Sequence, residues 1–153
     1  MTTEEFQAIL YADKCIAGDA IFRPDEDHSP GIEFRMDLES EVGHPMFVRG
    51  SANKLAETIS FGIIHRAFGR IYGLDLGKVH RNPNGAMIGD PHKHAWRDTT
   101  LCAKVAYEPK DITGRMPDVL LVWNQFCSEA KIKHQGRLIL PPDFAQKGLF
   151  DDA

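Results

Sequence analysis

Residues 32–39 read Ile-Glu-Phe-Arg-Met-Asp-Leu-Glu, a strict alternation that puts Ile32, Phe34, Met36 and Leu38 on one side of an extended chain. Successive Cβ atoms leave a strand on opposite faces, so period two marks a β-strand with one face in the core. Glu41 to Pro45 reads as a turn and Met46 to Arg49 as the returning strand. Alternation returns over residues 58–68, where Ile59, Phe61, Ile63, His65 and Ala67 share a face, and Ile71 to Leu76 follows a turn at Gly69-Arg70. Strands joined by such short turns pair antiparallel, because parallel neighbours need a crossover of roughly a dozen residues or more.

Two segments carry helical spacing instead. Thr2-x-x-Glu5 is a capping-box pattern, and Phe6, Ile9 and Leu10 fit a short amphipathic helix over about residues 3–16. Val119, Leu120, Val122, Trp123, Phe126, Cys127 and Ala130 recur at spacings of three and four, with Pro117 at the first turn, which predicts a longer helix over 117–131. Further strands are expected at His92 to Trp96, around Leu101 to Tyr107, and at the edge near Arg137 to Leu140. The pattern predicts an α+β fold: a single domain over residues 1–145, an antiparallel sheet with an N-terminal and a longer C-terminal helix on one face. Residues 146–153 are expected to be a flexible acidic tail.

A chain of 153 residues suits one core, since at this size roughly 70% of the unfolded surface is buried. No apolar run approaches the ~20 residues that a membrane-spanning helix needs. The N-terminus lacks the basic start of a signal peptide. Three cysteines, an odd number with no C-x-x-C pair, point to buried thiols in a reducing cytoplasm. The net charge of −4 is unevenly spread. Residues 1–45 hold eleven acids against Lys14, Arg23 and Arg35, a balance of −8, while residues 65–104 hold seven cations against Asp75, Asp90 and Asp98, a balance of +4.

That basic stretch contains the chemistry. His80-Arg81-Asn82-Pro83-Asn84-Gly85 is followed by His92-Lys93-His94, so three of the seven histidines fall in fifteen residues. Asn82-Pro83 initiates a turn and Asn84-Gly85 supplies positions of positive φ. In a strand the rings of His92 and His94 leave one face and Lys93 the other, and His80 can fold back toward them. His65 lies on a preceding strand that could be adjacent. A lone histidine on a strand is usually a hydrogen-bonded structural residue, and the weight here comes from the cluster.

Two mechanisms use such a set. In metal-independent RNA cleavage, one imidazole takes the 2′-hydroxyl proton and another protonates the leaving oxygen. His80 with His92 or His94 would move protons, Arg81 would steady the reacting phosphate, and Asn82, Lys93 and Arg97 would bind substrate. The second is a three-histidine metal centre with Asp75 or Asp90 as carboxylate helper. For metal the spacing favours a structural polar network, and no metal or cofactor is expected.

Over about residues 71–132 the chain resembles small bacterial and prophage proteins of unknown function with an H-x-N-P-[DN]-G…H-x-H core. More distantly, Pro91-His92-Lys93-His94 is similar to the core of TumE-type toxins of toxin–antitoxin pairs. The resemblance implies a small sheet-based, ribonuclease-like protein acting on RNA, with a cognate antitoxin as partner. A rival expectation is a non-catalytic inhibitor of the anti-CRISPR type. It would use Asp25, Glu26 and Asp27 to occupy the groove of a host nucleic-acid-binding complex, because carboxylates can stand in for phosphates.

Overall fold

The computed structural model describes residues 1–97 and 102–144. The acidic tail expected at 146–153 and the start of the strand expected at Leu101 lie outside the described residues.

The chain opens with α1 (Thr3–Tyr11), capped as expected by Thr2 and Glu5. It ends before residue 16 because Lys14 already belongs to a strand. Short strands follow: β1 (Lys14–Ile16), β2 (Ala20–Ile21) and β3 (Arg23–Pro24), the last leading into a single 3-10 turn at Glu26–His28. Four long strands form the meander: β4 (Ile32–Ser40), β5 (Met46–Asn53), β6 (Thr58–His65) and β7 (Gly69–Leu76). A small hairpin, β8 (His80–Arg81) with β9 (Met87–Ile88), precedes β10 (His92–Ala95) and β11 (Ala106–Tyr107). Then come α2 (Val119–Ala130), β12 (Ile132–His134) and β13 (Leu138–Ile139).

The main sheet runs β11-β10-β7-β6-β5-β4-β1-β12, with β3 also paired to β4. The fold is α+β, and the sheet is mixed rather than purely antiparallel. β1 pairs β12 in parallel, and β13 pairs β2 in parallel in a separate ribbon. These pairs join opposite ends of the chain, so no local turn announces them.

One face of the sheet carries Phe34, Phe61 and Tyr72, and α2 lies on it. Trp123 meets Phe34 edge-on at 5.5 Å and Phe61 at 5.0 Å, while Phe126 stacks on Tyr72 at 5.6 Å. α1 adds Phe6 and Ile9 to the same apolar cluster. Gly50 is required beneath this stack, because a Cβ there would come within 2.1 Å of the Phe34 ring. Lys14, 3% exposed, ties the two helix ends together. Its ammonium donates to the carbonyls of Leu10, Ala12 and Ala130, satisfying acceptors that the helix termini leave open. Burial pushes Lys14 down to about 8. No helix among the described residues is long and apolar enough to cross a membrane.

The opposite face holds the candidate site. Pairing puts Ser60, Asp75 and His92 on one rung across β6, β7 and β10, and Gly62, Gly73 and His94 on the next.

Candidate functional site

The bend between His80 and His92 forms as its residues dictate. Gly85 N–H donates to the Asn82 carbonyl at 2.8 Å, and Gly85 takes φ +89°, a conformation cheap only for glycine. Asn82 does more than turn the chain. Its side-chain NH2 donates to the Ala106 carbonyl (3.0 Å) and its Oδ1 accepts from the Ala106 N–H (2.8 Å). A buried amide therefore pins the hairpin to β11, in the way a strand neighbour would, and places His80 above β10.

The three rings meet. Centroid separations are 4.6 Å for His80–His94, 5.0 Å for His92–His94 and 5.7 Å for His80–His92. One ring nitrogen from each lies within 4.8 Å of the others. Asp75 completes the group: its Oδ2 is 3.2 Å from His92 Nε2 and 3.4 Å from His94 Nε2. Its other oxygen accepts from Ser60 Oγ at 2.6 Å and from Arg70 at 3.1 Å, and a second guanidinium nitrogen reaches Oδ2 at 3.3 Å. Burial would raise the Asp75 carboxyl, but contacts from His92 and His94 and the Arg70 guanidinium outweigh it and hold the group far below the usual carboxylate range.

Arg70 reaches Asp75 because two glycines leave a floor for it. A Cβ on Gly73 would come within 2.1 Å of the guanidinium, and one on Gly62 within 3.0 Å. Arg70 enters where the β6–β7 register shifts at Ile63/Ile64.

The far nitrogens are also engaged. His92 Nδ1 faces the carbonyls of Lys78 (3.1 Å) and Gly89 (3.3 Å), His94 Nδ1 that of Ala103 (2.9 Å), and His80 Nε2 that of Lys104 (2.8 Å). A carbonyl only accepts, so each of these nitrogens carries the ring's proton. The other nitrogen of each ring, Nε2 of His92 and His94 and Nδ1 of His80, is the one left to meet the rest of the cluster, and for His92 and His94 it faces Asp75. His92 and His94 are 2% and 6% exposed and have both nitrogens occupied, which leaves neither free to take a substrate proton in the metal-independent scheme. His80 is the partly exposed member.

A family model described as a family of unknown function, DUF6978, matches residues 1–132. The chain belongs to this family. No curated protein and no solved structure matches it. The DUF6978 match takes in α1, every strand from β1 to β11, and α2, and so contains the whole cluster.

The remaining expected residues of this DUF6978 member lie elsewhere. Lys93 leaves the opposite face of β10, fully buried, and meets Asp111 at 2.9 Å and Glu129 instead of a phosphate. Arg81 is exposed and donates to the Gly85 carbonyl of its own turn. Arg97 is exposed beyond the end of β10, with its main chain bonded to Cys102. Asn82 is committed to Ala106. His65 is separated from β10 by β7, and its Nε2 pairs with His44 Nδ1 at 3.2 Å. Asp90 accepts from the Gly77 N–H, away from the rings. Asp25 pairs with His28 and Arg49, while Glu26 and Asp27 belong to the 3-10 turn. Arg70 and Ser60 belong to the site without having been expected there. Ser60's place across from Asp75 follows from strand parity, the signal that could have found it.

Proposed function

We propose that this DUF6978 protein is a small toxin-like hydrolase of RNA phosphodiesters, with His80 as the proton-moving group and His92, His94 and Asp75 as the buried cluster that positions it. The observation that carries the reading is the convergence of three imidazoles and one carboxylate at the edge of an open sheet face furnished with cations. A cavity of about 330 Å³ adjoins Asp75, lined by Arg49, Ser51, Ser60, Arg70 and Lys78. Farther across the same face, Arg35 and Arg66 flank the Phe47 ring at 4.1 and 5.0 Å. Cations spread along one face suit a single strand, whose phosphates they hold by charge. In this reading Lys78 and Arg70 steady the phosphate, and His80 moves the proton.

The test is cleavage of single-stranded RNA by purified protein, and growth arrest on expression. His80→Ala should lower cleavage by about a hundredfold or more, and His94→Ala, which removes the ring 4.6 Å from His80, should lower it as well. Cleavage unchanged in both folded variants, or none by the folded wild type, sinks the reading. A second reading, an inhibitor of a nucleic-acid-binding complex, draws on Glu26 and Asp27, both exposed on the 3-10 turn. The same assay separates the two, because an inhibitor leaves RNA intact.

A further inference from the structure

The proton count at the cluster does not close with protein atoms in their simplest charge states. With Nδ1 of His92 and His94 donating to carbonyls, each Nε2 faces a second acceptor, Asp75 Oδ2, at 3.2 and 3.4 Å. A neutral imidazole has a single N–H for these two acceptors. Two extra protons would cure this, but they would crowd two imidazoliums, 5.0 Å apart between centroids, beside Arg70 against a single carboxylate. One divalent cation between the donors satisfies all of them at once.

We propose that His80, His92 and His94 bind a divalent transition-metal ion of the zinc class, with Asp75 Oδ2 as the oxygen donor. Bonds of about 2.1 Å on a tetrahedron separate neighbouring donors by about 3.4 Å, which the two Asp75–histidine contacts already match. Imidazole nitrogens with one carboxylate suit zinc, iron, cobalt and nickel rather than magnesium or calcium. The surroundings have the form of an outer shell. Every ring donates its other N–H to a backbone carbonyl, and Asp75 is held by Ser60 and Arg70. His80, partly exposed on a two-stranded hairpin, is the ligand able to close the last of the gap. The proposal rests on reading this cluster as the functional centre, and it adds the ion that centre would use.

The experiment is titration of untagged, chelator-treated protein with Zn²⁺ alone, followed by the visible spectrum of a Co²⁺-loaded sample. The wild type should bind one ion per chain, show the intense bands of low-coordinate cobalt, and melt at a lower temperature when chelator is present. His80→Ala, on the exposed hairpin, should weaken binding by at least about tenfold, and Ser60→Ala by about tenfold through loss of the hold on Asp75. Folding of each variant is checked by its circular dichroism. Zinc content far below one per folded wild-type chain, or equal affinity in wild type, His80→Ala and Ser60→Ala, overturns the site. Stoichiometric zinc with intact RNA supports the metal site and removes the nuclease reading. RNA cleavage undiminished by chelator does the reverse.

Discussion

His65 shows how a single ring can set a pH limit on the fold. It is 3% exposed, its Nδ1 accepts the Ala67 N–H at 3.0 Å, and its Nε2 therefore carries the proton shared with His44. Burial, followed by the charge of His44, lowers its pKa from the usual 6.5. Below that value the unfolded chain takes up a proton that the folded chain refuses, so stability is full above it and is lost as pH falls through the folded pKa. The urea midpoint should drop between about pH 7.5 and about pH 5.5, and the drop should be smaller in His65→Gln. A wild-type midpoint that is flat across this range would contradict the assignment. At this scale the sequence was legible where parity decides: the split of His92 and His94 from Lys93 follows from alternation alone. Arg70 was not legible, because its place depends on Gly62 and Gly73 giving up their side chains on two neighbouring strands.

Among elements, the β8–β9 hairpin has two residues in each strand and so depends on Asn82 for its position. Asn82→Ala removes both bonds to Ala106 and leaves a buried N–H and carbonyl without partners. It should cost roughly 1–3 kcal/mol in chemical denaturation. It should also broaden the NMR signals of the His80 ring by freeing the hairpin, and an unchanged His80 signal would argue against this role. The Asn-Pro-Asn-Gly bend, the long strands and α2 were all visible in the sequence, because each has a repeat or a turn residue with its own mechanism. Strands β2, β3 and β9 are two residues long, too short to display any period. α1 stops at Tyr11 because Lys14 is needed elsewhere, to cap two helices with its ammonium, and nothing nearby in the sequence encodes that demand.

Across the whole molecule, the aromatic stack of Phe34, Phe61, Tyr72, Trp123 and Phe126 joins the meander to α2. Phe61 is fully buried and touches three of the others. Phe61→Ala should cost about 3–5 kcal/mol, lowering the denaturant midpoint measured by tryptophan fluorescence and circular dichroism alike. Transitions that separate between the two probes would show that the sheet and helix do not share one core. The alternation of residues 32–38 foretold which side of the sheet meets that core, whereas the parallel pairing of β1 with β12 came from residues more than a hundred positions apart. The four-residue strand β10 has a consequence for how the chain chooses its pairing. It alternates basic groups on both sides, so sliding by one position against β7 would send two imidazoles into the apolar interior and the ammonium out among the carbonyls. Asp111 and Glu129 wait for that ammonium on the inner side. They act as a lock that accepts only one key, and the outward facing of the histidines is set from behind.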